Sequence, residues 1–200
     1  KFNESITAAN IQGIAPAGYT QTIALLNNKD DYQFNVISAP GLNGVDHGTQ
    51  VNSLVALAQN RTDCLAVIDL IGYNSSVNQV TTQASSYDTS YAAAYWPWLQ
   101  TIDAVTGQTV WAPASTYIPA VYAFTDASAD PWFAPAGLVR GALGSVVRAE
   151  RKLTSGNRDT LYEANVNPIA TFPGSGVVVF GQKTLQKRAS ALDRVNVRRL

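Results

Sequence analysis

The sequence holds one cysteine, one histidine and no methionine in 200 residues, and each scarcity closes off some chemistry. A lone cysteine, Cys64, cannot form a disulfide within the chain, so folding in a reducing compartment is expected. Its neighbours Leu65, Ala66, Val67 and Ile68 mark it as a buried strand thiol. One histidine and one cysteine cannot supply a nitrogen–sulfur metal site, and no metal or cofactor is expected. No apolar run reaches the ~20 residues that span a bilayer, and no signal peptide is visible, so membrane insertion is not expected. Charged residues make up only 14% against 46% hydrophobic, a balance that excludes a disordered chain and fits one large or two modest domains. The chain opens at Lys1-Phe2 and stops at Arg198-Arg199-Leu200. Both ends look cut, and the expectation is a fragment of a longer polypeptide.

What charge there is lies segregated. Residues 1–139 carry three bases against ten acids, a formal −7, and residues 140–200 carry eleven bases against four acids, a formal +7. Unlike patches on one chain allow head-to-tail association of copies. They equally allow two unlike parts to pair within the chain, or a basic end to bind something else. Charge alone leaves the three open.

Tyr32 to Ala39 reads as a strand ending at Pro40-Gly41. Asp46 is placed to cap a helix from His47 to Asn60, with Val51, Leu54, Val55 and Ala58 at helical spacing. Cys64 to Ile71 is a continuous apolar run, as in a strand covered on both faces. These three form a predicted parallel βαβ unit. A second helix is expected within Val77–Ser86, and a hairpin at Leu99–Ile102 and Thr109–Trp111 around Thr106-Gly107. Ser115–Ser128 reads as a helix with Pro119 in its first turn. Asp130 to Gly137, rich in Pro, Ala and Gly, is the best domain boundary. Beyond it come a β-prone segment at Leu143–Arg148, a helix at Asn157–Ala164 with Asp159 in its N-terminal turn, and a buried strand at Val177–Phe180. At the end, Val195 and Val197 alternate with Arg194, Asn196 and Arg198, which predicts a half-buried strand with a guanidinium stripe.

Most catalytic motifs fail on inspection. His47-Gly48-Thr49-Gln50-Val51 resembles the histidine setting of subtilisin-type proteases. Yet Gly-Thr-Ser-x-Ala is missing, no Asp-Ser-Gly or Asp-Thr-Gly precedes the histidine, and Asp46 is too close in sequence to orient it. Gly174-Ser175-Gly176 precedes a strand instead of a helix, so it is a turn and not a phosphate loop. No pair of acids has a spacing that argues for acid–base work. No catalytic residues are expected. Lys183, Lys187, Arg188, Arg194, Arg198 and Arg199 lack an aromatic stacking platform, which favours protein partners over nucleic acid.

Read together, the motifs of the final third are similar to the C-terminal part of contractile bacteriophage (myovirus) tail sheath proteins. They are Ala134-Pro135-Ala136-Gly137, Arg140-Gly141, Asp159-Thr160-Leu161-Tyr162, Val166-Asn167-Pro168-Ile169, the run Gly176 to Leu185, and Asp193 to Leu200. Ile37-Ser38-Ala39-Pro40-Gly41 and Ala66-Val67-Ile68-Asp69 resemble the family more loosely. The resemblance implies an α/β fold: a subtilisin-like α/β domain over residues 1–130 without a working triad, then a smaller, truncated α+β C-terminal domain over 131–200. It implies a structural, non-enzymatic subunit that polymerises in stacked six-fold rings around a tail tube. Contraction would be a rigid-body rearrangement that drives the tube through a host envelope. Implied partners are further copies of the chain, the tube protein, and baseplate and tail terminator proteins. The implied location is the virion tail, assembled in the bacterial host cytoplasm. The missing terminal arms and outer insertions imply that this chain by itself does not polymerise. Charge pattern and matched motifs together single out Arg140, Arg194, Arg198 and Arg199 as subunit-interface residues, with Asp193 positioning its neighbours. The alternatives are the sheath of a tailocin or type VI-like injection system and, from another class, a subtilisin-like hydrolase.

Overall fold

The computed structural model describes residues 16–200. In order these form α1 (Pro16–Leu26), β1 (Val36–Asn43), α2 (Gly48–Arg61), β2 (Leu65–Asp69), α3 (Val77–Ala84), β3 (Ala92–Trp96), β4 (Leu99–Ile102) and β5 (Thr109–Ala112). A 3₁₀ turn, Ala114–Thr116, leads into α4 (Ile118–Ser128), followed by β6 (Val146–Ala149), α5 (Ser155–Glu163), β7 (Asn167–Phe172), β8 (Gly176–Val179) and α6 (Val195–Arg198). A five-stranded sheet has the order β1-β2-β3-β7-β8, and a three-stranded sheet the order β5-β4-β6. β1, β2, β3 and β7 run parallel, and β8 closes the edge antiparallel to β7.

The period of two along the central strands builds the layers. Ala66 and Ile68 of β2, with Ala92, Ala94 and Trp96 of β3, pack with Val51, Leu54 and Val55 of α2, Val80 of α3 and Leu161 of α5. The alternate residues Leu65, Val67, Ala93 and Tyr95 pack on the other face with Ile118, Val121 and Tyr122 of α4 and Val195 of α6. A strand buried on both faces needs apolar residues at every position, which is why β2 reads as an unbroken run.

The βαβ unit, α3, the β4–β5 hairpin and the strand at β8 stand where the sequence places them. α3 is closed by a capping box, with the Ser76 hydroxyl accepting from the Gln79 N–H and the Gln79 side chain accepting from the Ser76 N–H. Five local readings need correction. β1 continues through Pro40-Gly41, because Gly41 at φ 97° lets the chain bulge and re-pair at Asn43 with Asp69. Asp46 does not cap α2; its carboxylate accepts from Asn43 Nδ2 at 2.8 Å instead. α5 starts earlier, at a Thr154 cap, which leaves Asp159 past the first turn. β3 and β7 were hidden, one in an aromatic run and the other behind Pro168. The final segment is a helical turn, not a strand: Arg198 N–H donates to Arg194 O and Arg199 N–H to Val195 O. Over four residues one buried valine fits either period, and packing of Val195 into the core decides it.

The five-stranded sheet takes strands from both sides of position 130/131. β7 joins β3 through two residue pairs, Tyr95 with Asn167 and Trp96 with Pro168, and both core layers draw on residues from either side. Pro168 has no N–H to give a ladder. The buried Asn167 side chain compensates: Nδ2 donates to Ala94 O at 3.1 Å and to Lys183 O at 2.7 Å, and Oδ1 accepts from Lys183 N–H at 2.6 Å. The outer edge of β8 is covered by residues 137–143, with Gly137 N–H donating to Val179 O and Val179 N–H to Gly141 O. A Cβ on Gly141 would lie 2.7 Å from Gly137 O, so only glycine permits that approach.

Replacing Asn167 with alanine strands three backbone groups, one buried and two partly buried. A loss of about 3 kcal/mol is expected, read as a lower urea midpoint in equilibrium unfolding.

Candidate functional site

The five residues singled out as interface contacts all engage other groups of their own chain. Arg199 pairs with Asp126, which caps none of its other donors, and its guanidinium lies 4.6 Å from the Tyr122 ring centre with only 3% of the side chain exposed. Arg194 lies 3.5 Å from Asp193 and donates from Nη1 to Tyr162 Oη at 3.3 Å. Arg140 donates from Nε to Ala134 O at 3.0 Å and stacks over Phe133 at 5.0 Å. Arg198 stacks over Tyr91 at 3.5 Å and donates from Nη2 to Thr62 O at 3.0 Å. Arg194, Arg198 and Arg199 gather on α6 and its caps. Arg140 belongs to the separate segment that covers β8.

Other bases fasten the last third to the rest. Lys183 Nζ donates to Tyr162 O at 2.8 Å, Lys187 Nζ to Ser85 O at 2.7 Å, and Lys187 N–H to the Asp88 carboxylate at 2.9 Å. Part of the charge segregation therefore serves pairing within the chain. Among the described residues, Arg199–Asp126 is the ion pair that joins the basic third to the acidic two-thirds.

His47, Asp69 and Ser115 come from one region of the sheet but do not form a relay. His47 is buried, and its Nδ1 accepts from Asn43 N–H at 3.1 Å, which places the ring proton on Nε2. Among the described residues no partner meets that Nε2. The Asp69 carboxylate at the end of β2 accepts from both the N–H and the hydroxyl of Ser115. A nucleophilic serine must hand its proton to a base and face a substrate. Here Ser115 is buried and bound to the acid instead of the imidazole. The geometry is that of a polar clasp between β2 and the turn leading into α4.

Sequence reading missed a heavily bonded side chain at the opposite end of the sheet, before β2. Arg61 is fully buried, donates to the carbonyls of Leu26, Asn28 and Tyr32, and forks onto Asp63 through Nε at 3.0 Å and Nη2 at 2.9 Å. Phe34 covers its face at 4.1 Å. The signal was available: a lone arginine at the helical spacing of the buried residues Leu54, Leu57 and Ala58.

Burial pushes the Asp69 carboxyl up from 3.8 to about 7, with the two Ser115 hydrogen bonds opposing the shift. Between those values the folded protein keeps a proton that the unfolded chain has lost, so stability falls as pH rises through that window. Asp69→Asn is expected to flatten this fall in a series of thermal melts between about pH 4 and pH 7. Identical slopes for the two proteins would show that Asp69 is ionised throughout.

Residues 12–185 match the family model of the phage tail sheath protein central domain. The tail sheath protein of Vibrio phage KVP40 is 34% identical over 149 residues, covering 72% of this chain and 22% of that protein. The tail sheath protein of Enterobacteria phage T4 is 28% identical over 164 residues, covering 74% of this chain and 25% of that protein. The chain thus spans a quarter or less of the length of these curated relatives. Among solved structures, the fold is shared with the PVC sheath complex of an extracellular contractile injection system in its contracted state. The TM-score is 0.70 at 24% identity, over 88% of this chain and 47% of that one. The family match takes in both the α/β unit around β1–β3 and the strands β7 and β8 that complete its sheet: the chain belongs to the phage tail sheath protein family.

Proposed function

We propose that the protein is a structural subunit of a contractile phage tail sheath. It polymerises as stacked six-fold rings around a tail tube, docks on baseplate and terminator proteins, and contracts by rigid-body rearrangement to drive the tube through the host envelope. It resides in the virion tail after assembly in the bacterial cytoplasm. The observation that carries this reading is the family match over residues 12–185, joined to curated relatives that are themselves tail sheath proteins. Two doubly covered sheet faces and a capped β8 edge suit the reading, because a unit moved as a rigid body must keep its core sealed.

A sheath of a contractile injection system is the second reading, favoured by the PVC neighbour. The phage assignment is preferred because the phage relatives reach 34% and 28% identity against 24%. The helix-start position of His47 after a parallel strand supports a subtilisin-like ancestry for the α/β unit, and the Ser115–Asp69 clasp supports a non-enzymatic present. In this reading the basic third faces neighbouring subunits and the tube through Arg140, Asp193, Arg194 and Arg198, while Arg199, with 3% of its side chain exposed, supports them from within. The acidic part faces outward or meets a neighbour's bases.

Electron microscopy of the complete protein is expected to show tubes of six-fold symmetry. Dispersed particles under every assembly condition, or peptide or ester hydrolysis lost in His47→Ala, would overturn the assignment.

A further inference from the structure

At the N-terminal ends of β1 and β2 lies a polar cleft of about 230 Å³, lined by Asn35, Thr62, Asp63, Cys64 and Leu65 on one side and by Arg198, Arg199 and Leu200 at the end of α6 on the other. Its charges do not cancel. Asp63 is held by the Arg61 fork and Asp126 by Arg199, which disposes of both nearby acids and two of the three arginines. Arg198 has no carboxylate partner among the described residues. Its Nη2 donates to the Thr62 carbonyl, while its buried Nε has no acceptor among the described residues. On the other side of Thr62, the Lys29 ammonium reaches Oγ1 at 3.5 Å. Two cations therefore flank Thr62, one of the residues that line the cleft.

A guanidinium held flat by the Tyr91 ring, with its edge unpaired, matches the planar geometry of a carboxylate. We propose that this cleft is a carboxylate site that receives an exposed acidic side chain of a second copy of the chain. The complementary surface is on the same molecule: residues 1–139 carry a formal −7, so the basic α6 end of one copy meets the acidic part of the next. A contact between unlike patches is heterologous and propagates into rings or helices. The inference rests on the sheath reading for its partner, but not for its chemistry. It also sorts the sequence candidates: Arg194 and Arg199 lie against carboxylates of their own chain, Arg140 and Arg198 do not, and of these two Arg198 lines the cleft.

Two measurements on the complete protein test the site and its occupant separately. In the unassembled protein, acetate titrated at constant ionic strength against chloride is expected to shift the Arg198 Nε resonance saturably, and Arg198→Gln to abolish the effect. No shift overturns the site. In assemblies of mixed isotope-labelled copies, Arg198→Lys followed by carbodiimide coupling is expected to join position 198 to an acidic peptide of another copy. Products formed solely within one copy overturn the proposed occupant. Arg198→Gln should weaken self-association about thirtyfold, the equivalent of losing one buried charge contact. If acetate binds but the complete protein forms no tubes, the sheath reading fails and the carboxylate site stands.

Discussion

One carboxamide holds the last third of this protein to the first. Asn167 stands where β7 meets β3, and its next residue is a proline that can give the sheet no hydrogen. Its side chain therefore does what a backbone ladder does elsewhere, satisfying Ala94 O and both backbone groups of Lys183 at once. A buried peptide group without a partner is costly, so this junction tolerates few other residues. The elements around it are referenced to it: β7 and β8 extend the sheet, residues 137–143 seal its edge, and the segment from Gln182 carries Val195 into the core, its N–H donating to Gln182 O.

That junction changes the meaning of the charge segregation. Acidic and basic parts share one sheet and two continuous core layers. Several of the bases act within the molecule, through the Arg199–Asp126 pair, the Lys187 contacts to Ser85 and Asp88, and the Arg198 stack on Tyr91. The proposed sheath contacts then fall to what intrachain pairing leaves over. At α6 that is one guanidinium edge beside a cleft, a far smaller surface than a net charge of seven implies.

The sequence was most legible where burial is two-sided. The run Leu65–Asp69 and the helical spacing of Val51, Leu54, Val55 and Ala58 gave β2 and α2, because a core element must be apolar wherever it faces the core. The Pro-Gly at 40–41 misled, since a glycine at positive φ bulges a strand as readily as it ends one. The family motifs were read as a string of letters, and the structure supplies reasons for two of them. Asn167 bridges a junction, and Gly141 lets the chain pass against β8. Of the candidate interface residues, the sequence brought Arg194, Arg198 and Arg199 together by adjacency. It had no means of seeing Asp126, Tyr91 or Thr62 beside them, which lie between roughly seventy and a hundred and forty positions away along the chain.

By itself, then, the sequence determined the α/β class, the parallel unit around β2 and the family. These depend on local periodicity and on residue types present or missing, which are properties of the chain as written. Only the tertiary structure decided which charges are neutralised, that His47 and Ser115 do not meet, and that the last residues form a helical turn. Each of these depends on pairs distant in sequence, and a side chain's charge, proton and conformation are set by whatever the fold places against it.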